Sequence, residues 1–365
     1  MTLSEFDAYR PENEPRRKRR RNRPPGKRRG GGNGDGAREM PMVEDVEFAD
    51  SYYGRPIVKA PPWDDKISAY LFLGGVAGGS AMLAVGADRI GFDKLRRNTR
   101  LTALGATIGG TVFLILDLGR PERFHHMLRT FKPASPMNMG TWILSSFGMG
   151  AGVVAAIEVD QLTGQKIPLG VLRKVVYAFE KPAALLAAVM GAPLASYTGA
   201  LLADTSVPTW NGGKDNLSYL FVSSAAMASS GFALITTPTS QTRPARTFAT
   251  LGAVAELFFS EKLTADMHPV EAEPLQTGRP ARKLRWAQAL TIAGGVGAAL
   301  LSRNRIAAIA SGTALATASM LTRSAIMEAG INSTKDPRHV VEPQRDRLAA
   351  RRAKGIVDDS ITTVG

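Results

Sequence analysis

The chain contains no cysteine. That excludes a protein-held iron–sulfur cluster, which needs thiolate ligands. Histidine is nearly as scarce, with His125, His126, His268 and His339 the only four. None lies inside an apolar run long enough to cross a bilayer, so haem clamped between intramembrane histidines is excluded as well. His125 and His126 are adjacent, and on a helix their side chains diverge by about 100°. They cannot hold one iron together, and nothing nearby supplies metal-ligand spacing. No cleavable signal is expected, because the first apolar run begins after residue 66 and the arginines before it lead into no apolar core.

Charge is missing from the middle of the chain. Residues 1–66 hold 15 of the 46 Lys and Arg, including "RRKRRRNRPPGKRRGGGNGDG", and residues 323–365 hold eight more. The mean hydropathy of −0.07 therefore averages polar tails with a strongly apolar centre. Eight apolar segments follow one another: Ile67–Ala87, Leu101–Leu118, Met139–Val159, Pro182–Ala203, Leu217–Thr237, Ala245–Ser260, Trp286–Ser302 and Ile306–Leu321. Each approaches the roughly 17–25 residues that cross the hydrocarbon as a helix. A stretch such as "AYLFLGGVAGGSAMLAVGA" has no charged face to turn toward water. The expectation is an all-α integral membrane protein: a basic disordered tail over 1–62, an eight-helix transmembrane bundle over 63–332 and a polar, disordered tail over 333–365. The sixth and seventh segments are short. Pairs such as Gly74/Gly78 and Gly75/Gly79 put two glycines on one helix face, as tight helix association in lipid requires.

The basic tail reads as a solvated segment that touches anionic lipid, with no aromatic or structured motif for nucleic acid behind it. The loops leave orientation open. A run like "RRKRRR" resists translocation, and eight spans return both termini to one side, so both are expected in the cytoplasm.

On that topology the polar side chains gather at one end of the bundle. Trp63, Asp64, Asp65, Lys66 and Tyr70 open the first span, and Asp117 closes the second ahead of "GRPERFHH". Tyr197 and Asp204 close the fourth, Trp210 and Asn211 follow in its loop, and Glu261, Asp266 and His268 close the sixth. Such a cluster would suit a polar head group with its tail in the bilayer, and an ordinary aromatic membrane boundary accounts for it equally. Glu256 in "LGAVAELFFSEKL" lies inside the sixth segment, where an ionisable group is costly and faces a partner or cavity. It is either a neutral hydrogen-bonded carboxyl or part of a proton relay.

The strings "SAYLFLGGVAGGSAML", "LDLGRPERF", "SPMNMGTWIL", "YTGALL", "VPTWN" ahead of "LFVSSA", and "DPRHVVEPQR" occur in an order that resembles the polysulfide reductase membrane-subunit family, the NrfD-like proteins. The resemblance runs from about Trp63 to Arg345. It implies a haem-free eight-helix subunit that exchanges electrons between membrane quinone, menaquinone or ubiquinone, and an iron–sulfur partner. That partner would serve a molybdopterin catalytic subunit acting on polysulfide, nitrite, formate or a similar substrate, in a bacterial cytoplasmic membrane. The family's quinone sites use polar residues early in the first span and a tyrosine in the fourth, which Tyr70 and Tyr197 match here; with Asp117 and Trp210 added by topology, these four are the expected quinone site. Where characterised relatives carry a histidine in the first span this chain has Tyr70, which leaves a hydroxyl but no group titrating near neutrality. Asp117, His125 and His126 are the substitutes by topology, with Glu256 as a further proton carrier. Arg120 would pin Asp117 as the helix ends, and Arg123 would belong to a docking surface. A secondary transporter and a purely structural anchor are the alternatives.

Overall fold

The computed structural model describes residues 56–117 and 128–355, and those residues are helical throughout, with no strand among them. The helices are α1 (Asp65–Arg89), α2 (Asp93–Asp117), α3 (Pro136–Leu162), α4 (Val171–Ala178), α5 (Glu180–Ala203), α6 (Pro208–Gly212), α7 (Lys214–Thr236), α8 (Arg243–Asp266), α9 (Pro269–Gln276), α10 (Gly278–Val296), α11 (Arg305–Ser333) and α12 (Arg338–Ala353). Their starts follow local chemistry. The Asp64 carboxylate accepts from the Lys66 N–H at 2.8 Å to open α1, and Asn304 does the same for α11. Proline stands in the first turn of α3, α6, α8 and α9, where its missing N–H costs nothing.

Among the described residues, six helices are long and apolar enough to cross a membrane: α1, α2, α3, α5, α7, and α10 with the π-helical turn Gly297–Leu301 that continues it. The segments Ala245–Ser260 and Ile306–Leu321 fall in α8 and α11, which are 24 and 29 residues long but hold no stretch apolar enough to join those six. The reason is visible in the packing. Glu256 on α8 and Ser311, Ser319, Thr322 and Arg323 on α11 are buried inside the bundle, so these helices carry polar groups inward.

The long helices form two matching groups of four. In the first, α1 packs on α2 and α5, and α3 on α2 and α5; in the second, α7 packs on α8 and α11, and α10 on α8 and α11. The groups meet where α1 crosses α7, flanked by the reciprocal contacts α5–α7 and α1–α11. Hence α1 and α7 are central, with 67% and 72% of their apolar windows buried. Glycine makes the closest approaches. Gly78 on α1 faces the backbone of Gly191 on α5, and Gly231 on α7 faces that of Gly312 on α11, each pair too close for a Cβ on either side.

Two expectations about the tails fare differently. The N-terminal tail lies outside the described residues. In the C-terminal segment expected to be disordered, Arg338–Ala353 form α12, held by the pairs Arg347–Glu271 and His268–Asp346 and by buried His339 and Pro343. Its polarity comes from ion pairs to α9 rather than from freedom in solvent.

Candidate functional site

The end of the bundle that carries the start of α1 also carries the ends of α2, α5, α8 and α11 and the short helices α6, α9 and α12. Tyr70 lies in the second turn of α1, and Tyr197 two turns before the end of α5. Their hydroxyls are hydrogen-bonded across 127 residues of sequence. Tyr70 is 5% exposed, while Tyr197 is half-buried. Glycines lie beside both rings, and at Gly140 no other residue would fit. A Cβ on Gly110 of α2 would stand 3.6 Å from the Tyr70 ring, and one on Gly140 of α3 would overlap the Tyr197 ring. The pair therefore sits at the junction of α1, α2, α3 and α5.

Asp117 is the last described residue of α2, half-buried and seven residues beyond Gly110. At 1.5 Å per residue that puts it about 10 Å nearer the end of the bundle. Trp210 is placed more deeply than a loop tryptophan should be. It opens no route to solvent: α6 buries it, its indole N–H donates to the Ile326 carbonyl at 2.8 Å, and Trp63 stacks on it at 5.5 Å. Its ring occupies the space that a side chain at Gly330 would need. Trp63, Tyr70, Tyr197 and Trp210 thus belong to one apolar cluster, with the tyrosine hydroxyls as its polar feature. Arg120, Arg123, His125 and His126 lie outside the described residues.

A second polar cluster lies in the other helix group. Glu256 on α8 is buried and accepts from the Thr322 hydroxyl at 2.8 Å and more loosely from Ser223 at 3.5 Å. The next residue on α11, Arg323, is fully buried. Its Nη2 donates to the Phe221 carbonyl at 2.8 Å, and its guanidinium lies over the Phe221 ring at 4.6 Å. A Cβ at Gly75 would come within 2.7 Å of that nitrogen, so the glycine makes room for the arginine. The Arg323 Nε and Nη1 have no hydrogen-bond partner. Ser224 and Ser319 are bonded at 2.8 Å beside it. Sequence reasoning stopped the last apolar segment at Leu321 and so missed Arg323. The signal was available in "MLTRSAIMEAG", where the apolar run resumes after the arginine.

The two remaining histidines hold structure at the same end. His268 caps α9 and meets Asp346 at 3.1 Å, and His339 bonds the Ser333 carbonyl at 3.2 Å. Among the described residues no three His, Asp or Glu side chains converge to hold a metal ion.

Comparison with known proteins bears mainly on the tyrosine site. The family described as polysulphide reductase, NrfD matches residues 57–254. That range includes Tyr70, Asp117, Tyr197 and Trp210 and stops just short of Glu256. The chain is 30% identical over 158 residues to the NrfD homologue of Haemophilus influenzae, covering 38% of this chain and 48% of that protein. It is 32% identical over 188 residues to the protein NrfD of Escherichia coli, covering 47% of this chain and 58% of that one. The chain spans roughly half the length of these curated relatives.

Proposed function

This chain belongs to the polysulphide reductase NrfD family of multi-pass membrane proteins, and on that premise we propose that it is the quinone-reactive membrane subunit of an oxidoreductase complex. The observation that carries this reading is the Tyr70–Tyr197 hydroxyl pair, with the Tyr197 ring seated on Gly140, near one end of the bundle and within the family match. One phenol donates to the other, which leaves the second O–H free to donate to a carbonyl oxygen. A quinone head group needs such a donor, and the half-buried ring of Tyr197 gives it a side of approach. Bound there, quinone supplies two-electron, two-proton redox chemistry.

The chain's own residues divide the remaining work. Tyr70 and Tyr197 orient the head group and hold a proton at its oxygen. Trp63 and Trp210 wall the site and keep water from the ring cluster. Asp117, about two turns nearer the bundle end, is the carboxylate we assign as proton acceptor toward the aqueous side. Having no thiolate ligand of its own, the chain would exchange electrons through the clusters of an iron–sulfur partner docked on α6, α9 and α12. A molybdopterin subunit would lie beyond it, acting on formate, polysulfide, nitrite or a similar substrate. Glu256 would serve proton movement in the second helix group, where Thr322 and Ser223 already hydrogen-bond it.

In this reading α8 and α11 also cross the membrane, making eight spans, and both termini face the cytoplasm of a bacterial cell. The main polar residues of those two helices are turned inward, with Glu256 bonded to Thr322, Ser319 to Ser224 and Arg323 through one nitrogen to the Phe221 carbonyl, which lessens the objection to their lying in lipid. Secondary transport is the second reading, favoured by the two matching helix groups, since transporters are often built from internal repeats.

The test is affinity purification from native membranes in mild detergent, with assays for iron, molybdenum or tungsten, extractable quinone and co-purifying chains. An iron–sulfur protein and a molybdopterin enzyme in stoichiometric amounts are expected. A chain that purifies alone, without metal or quinone, and catalyses solute uptake in vesicles would establish the transporter instead.

A further inference from the structure

Helix α4 stands at the opposite end of the bundle from the tyrosine pair and has no part in the reading above. Its contacts are with α3 and α5, the outer pair of the first helix group. One face is clamped. Buried Asp160, near the end of α3, accepts from Arg173 Nε at 2.9 Å, from Arg173 Nη2 at 3.1 Å and from the Tyr177 hydroxyl at 3.0 Å. Arg173 also donates to the carbonyls of Gln165 and Ile167 at 2.6 and 2.7 Å. Arg173 and Tyr177 are one helical turn apart, so this network fixes the roll of α4 about its axis.

At about 100° per residue, Val171, Leu172, Val175 and Phe179 fall on the face opposite that clamp. These four are between 47 and 80% exposed. They are turned away from the protein by the clamp that holds the helix.

We propose that α4 is a membrane-surface helix whose Val171–Phe179 face lies at the boundary of acyl chains and head groups, in the leaflet opposite the tyrosine pair. Two observations favour lipid over a protein partner. First, the apolar face is continuous with the outer surface of the bundle. Leu162 at the end of α3 and Leu185 and Val189 on α5 are exposed and carry the same band along the flank of the bundle, which lies in the bilayer. Second, the charge is complementary to head groups, since Lys166, Lys174 and Lys181 are exposed around α4. Anionic lipid attracts such lysines, and an amphipathic helix with this division lies in the interface plane. The ion pairs of Glu158 with Arg96 and Arg100, and of Arg100 with Glu180, gather charge at the same end, as expected where the hydrocarbon stops.

The chain's lack of cysteine makes the test clean. Single Val171→Cys, Val175→Cys and Gln165→Cys variants of the full chain, with any co-purifying subunits, would be spin-labelled in phosphatidylcholine–phosphatidylglycerol vesicles. Collision with oxygen relative to a water-soluble nickel chelate should be several-fold higher at positions 171 and 175 than at 165. Equal, nickel-dominated collision at all three would overturn the proposal, placing the face in water. Labels at 171 and 175 shielded from both reagents would overturn it too, in favour of a protein cover. A Val175→Trp variant gives an independent reading without a label. Its fluorescence should fall in vesicles of brominated lipid, and unchanged fluorescence would count against lipid contact.

Discussion

Two hydroxyls carry the account at the scale of single residues, and their neighbours decide whether they stay in register. Gly140→Val would drive a side chain into the Tyr197 ring. A displacement of about 1 Å in a positioned group can cost on the order of 10²-fold in rate. Quinol-dependent turnover of the complex should fall accordingly while the chain still accumulates in the membrane; turnover at the parental level would remove Tyr197 from the site. Glu256 offers a separate check. Glu256→Gln keeps an acceptor for the Thr322 hydroxyl, whereas Glu256→Leu strands it at a cost of about 1–3 kcal/mol, Ser223 still having the Tyr219 and Leu220 carbonyls. Thermal unfolding followed by size-exclusion should therefore separate the two, with the Gln variant near the parent. Tyr70, Tyr197 and Glu256 were legible in the sequence because each interrupts an apolar run. Their partners were not. Which glycine lies beneath a ring depends on helix rotation and crossing, and those are set by long-range packing.

Elements were legible in proportion to their apolar length. The apolar segments match α1, α3, α5 and α7 closely at both ends, whereas α2, α8, α10 and α11 each run about two to three turns past their segment at one end, where the helix turns polar. α4, α6, α9 and α12 were not visible, because two-turn helices and ion-paired polar helices carry no transmembrane signature. α12 shows what polarity alone hides. The backbone N–H of Arg338, and then its side chain, bind the Asp336 carboxylate and hold it below the usual carboxylate range. Stability from a lowered carboxylate is present above its unfolded value, about pH 4, and is lost as pH falls through the folded one. Protection of the amides over 338–353, with rates taken relative to the intrinsic exchange rate at each pH, should fall on acidification, and in Asp336→Asn that dependence should shrink. Protection with the same pH dependence in both would contradict it. In the core, Gly191→Leu should separate α5 from α1 at Gly78 and abolish a monodisperse peak in detergent. A well-behaved variant would mean the crossing tolerates more than its backbone contact suggests.

At the scale of the whole molecule, the sequence suggested a bundle with polar groups at one end, but not that its helices form two matching groups. The contacts that reveal this join residues far apart in the sequence, as Gly78 and Gly191 join α1 to α5, and Gly231 and Gly312 join α7 to α11, only through the fold. Side assignment is testable on the cysteine-free chain. Asp215→Cys, beside the tyrosine end, and Arg303→Cys, at the other, are exposed positions. A membrane-impermeant maleimide should reach Arg303→Cys in intact cells and Asp215→Cys only after lysis. Labelling of both from outside would break the eight-span arrangement.

The central claim is that quinol chemistry occurs at the Tyr70–Tyr197 pair, and the most direct measurement is stopped-flow reduction of the partner's iron–sulfur clusters by a soluble quinol, comparing the purified parental complex with Tyr197→Phe. The account predicts that quinol-driven reduction slows by roughly tenfold or more, about 1.4 kcal/mol on the barrier, while dithionite reduces the same clusters equally in both. Equal quinol rates in an intact Tyr197→Phe complex would contradict it.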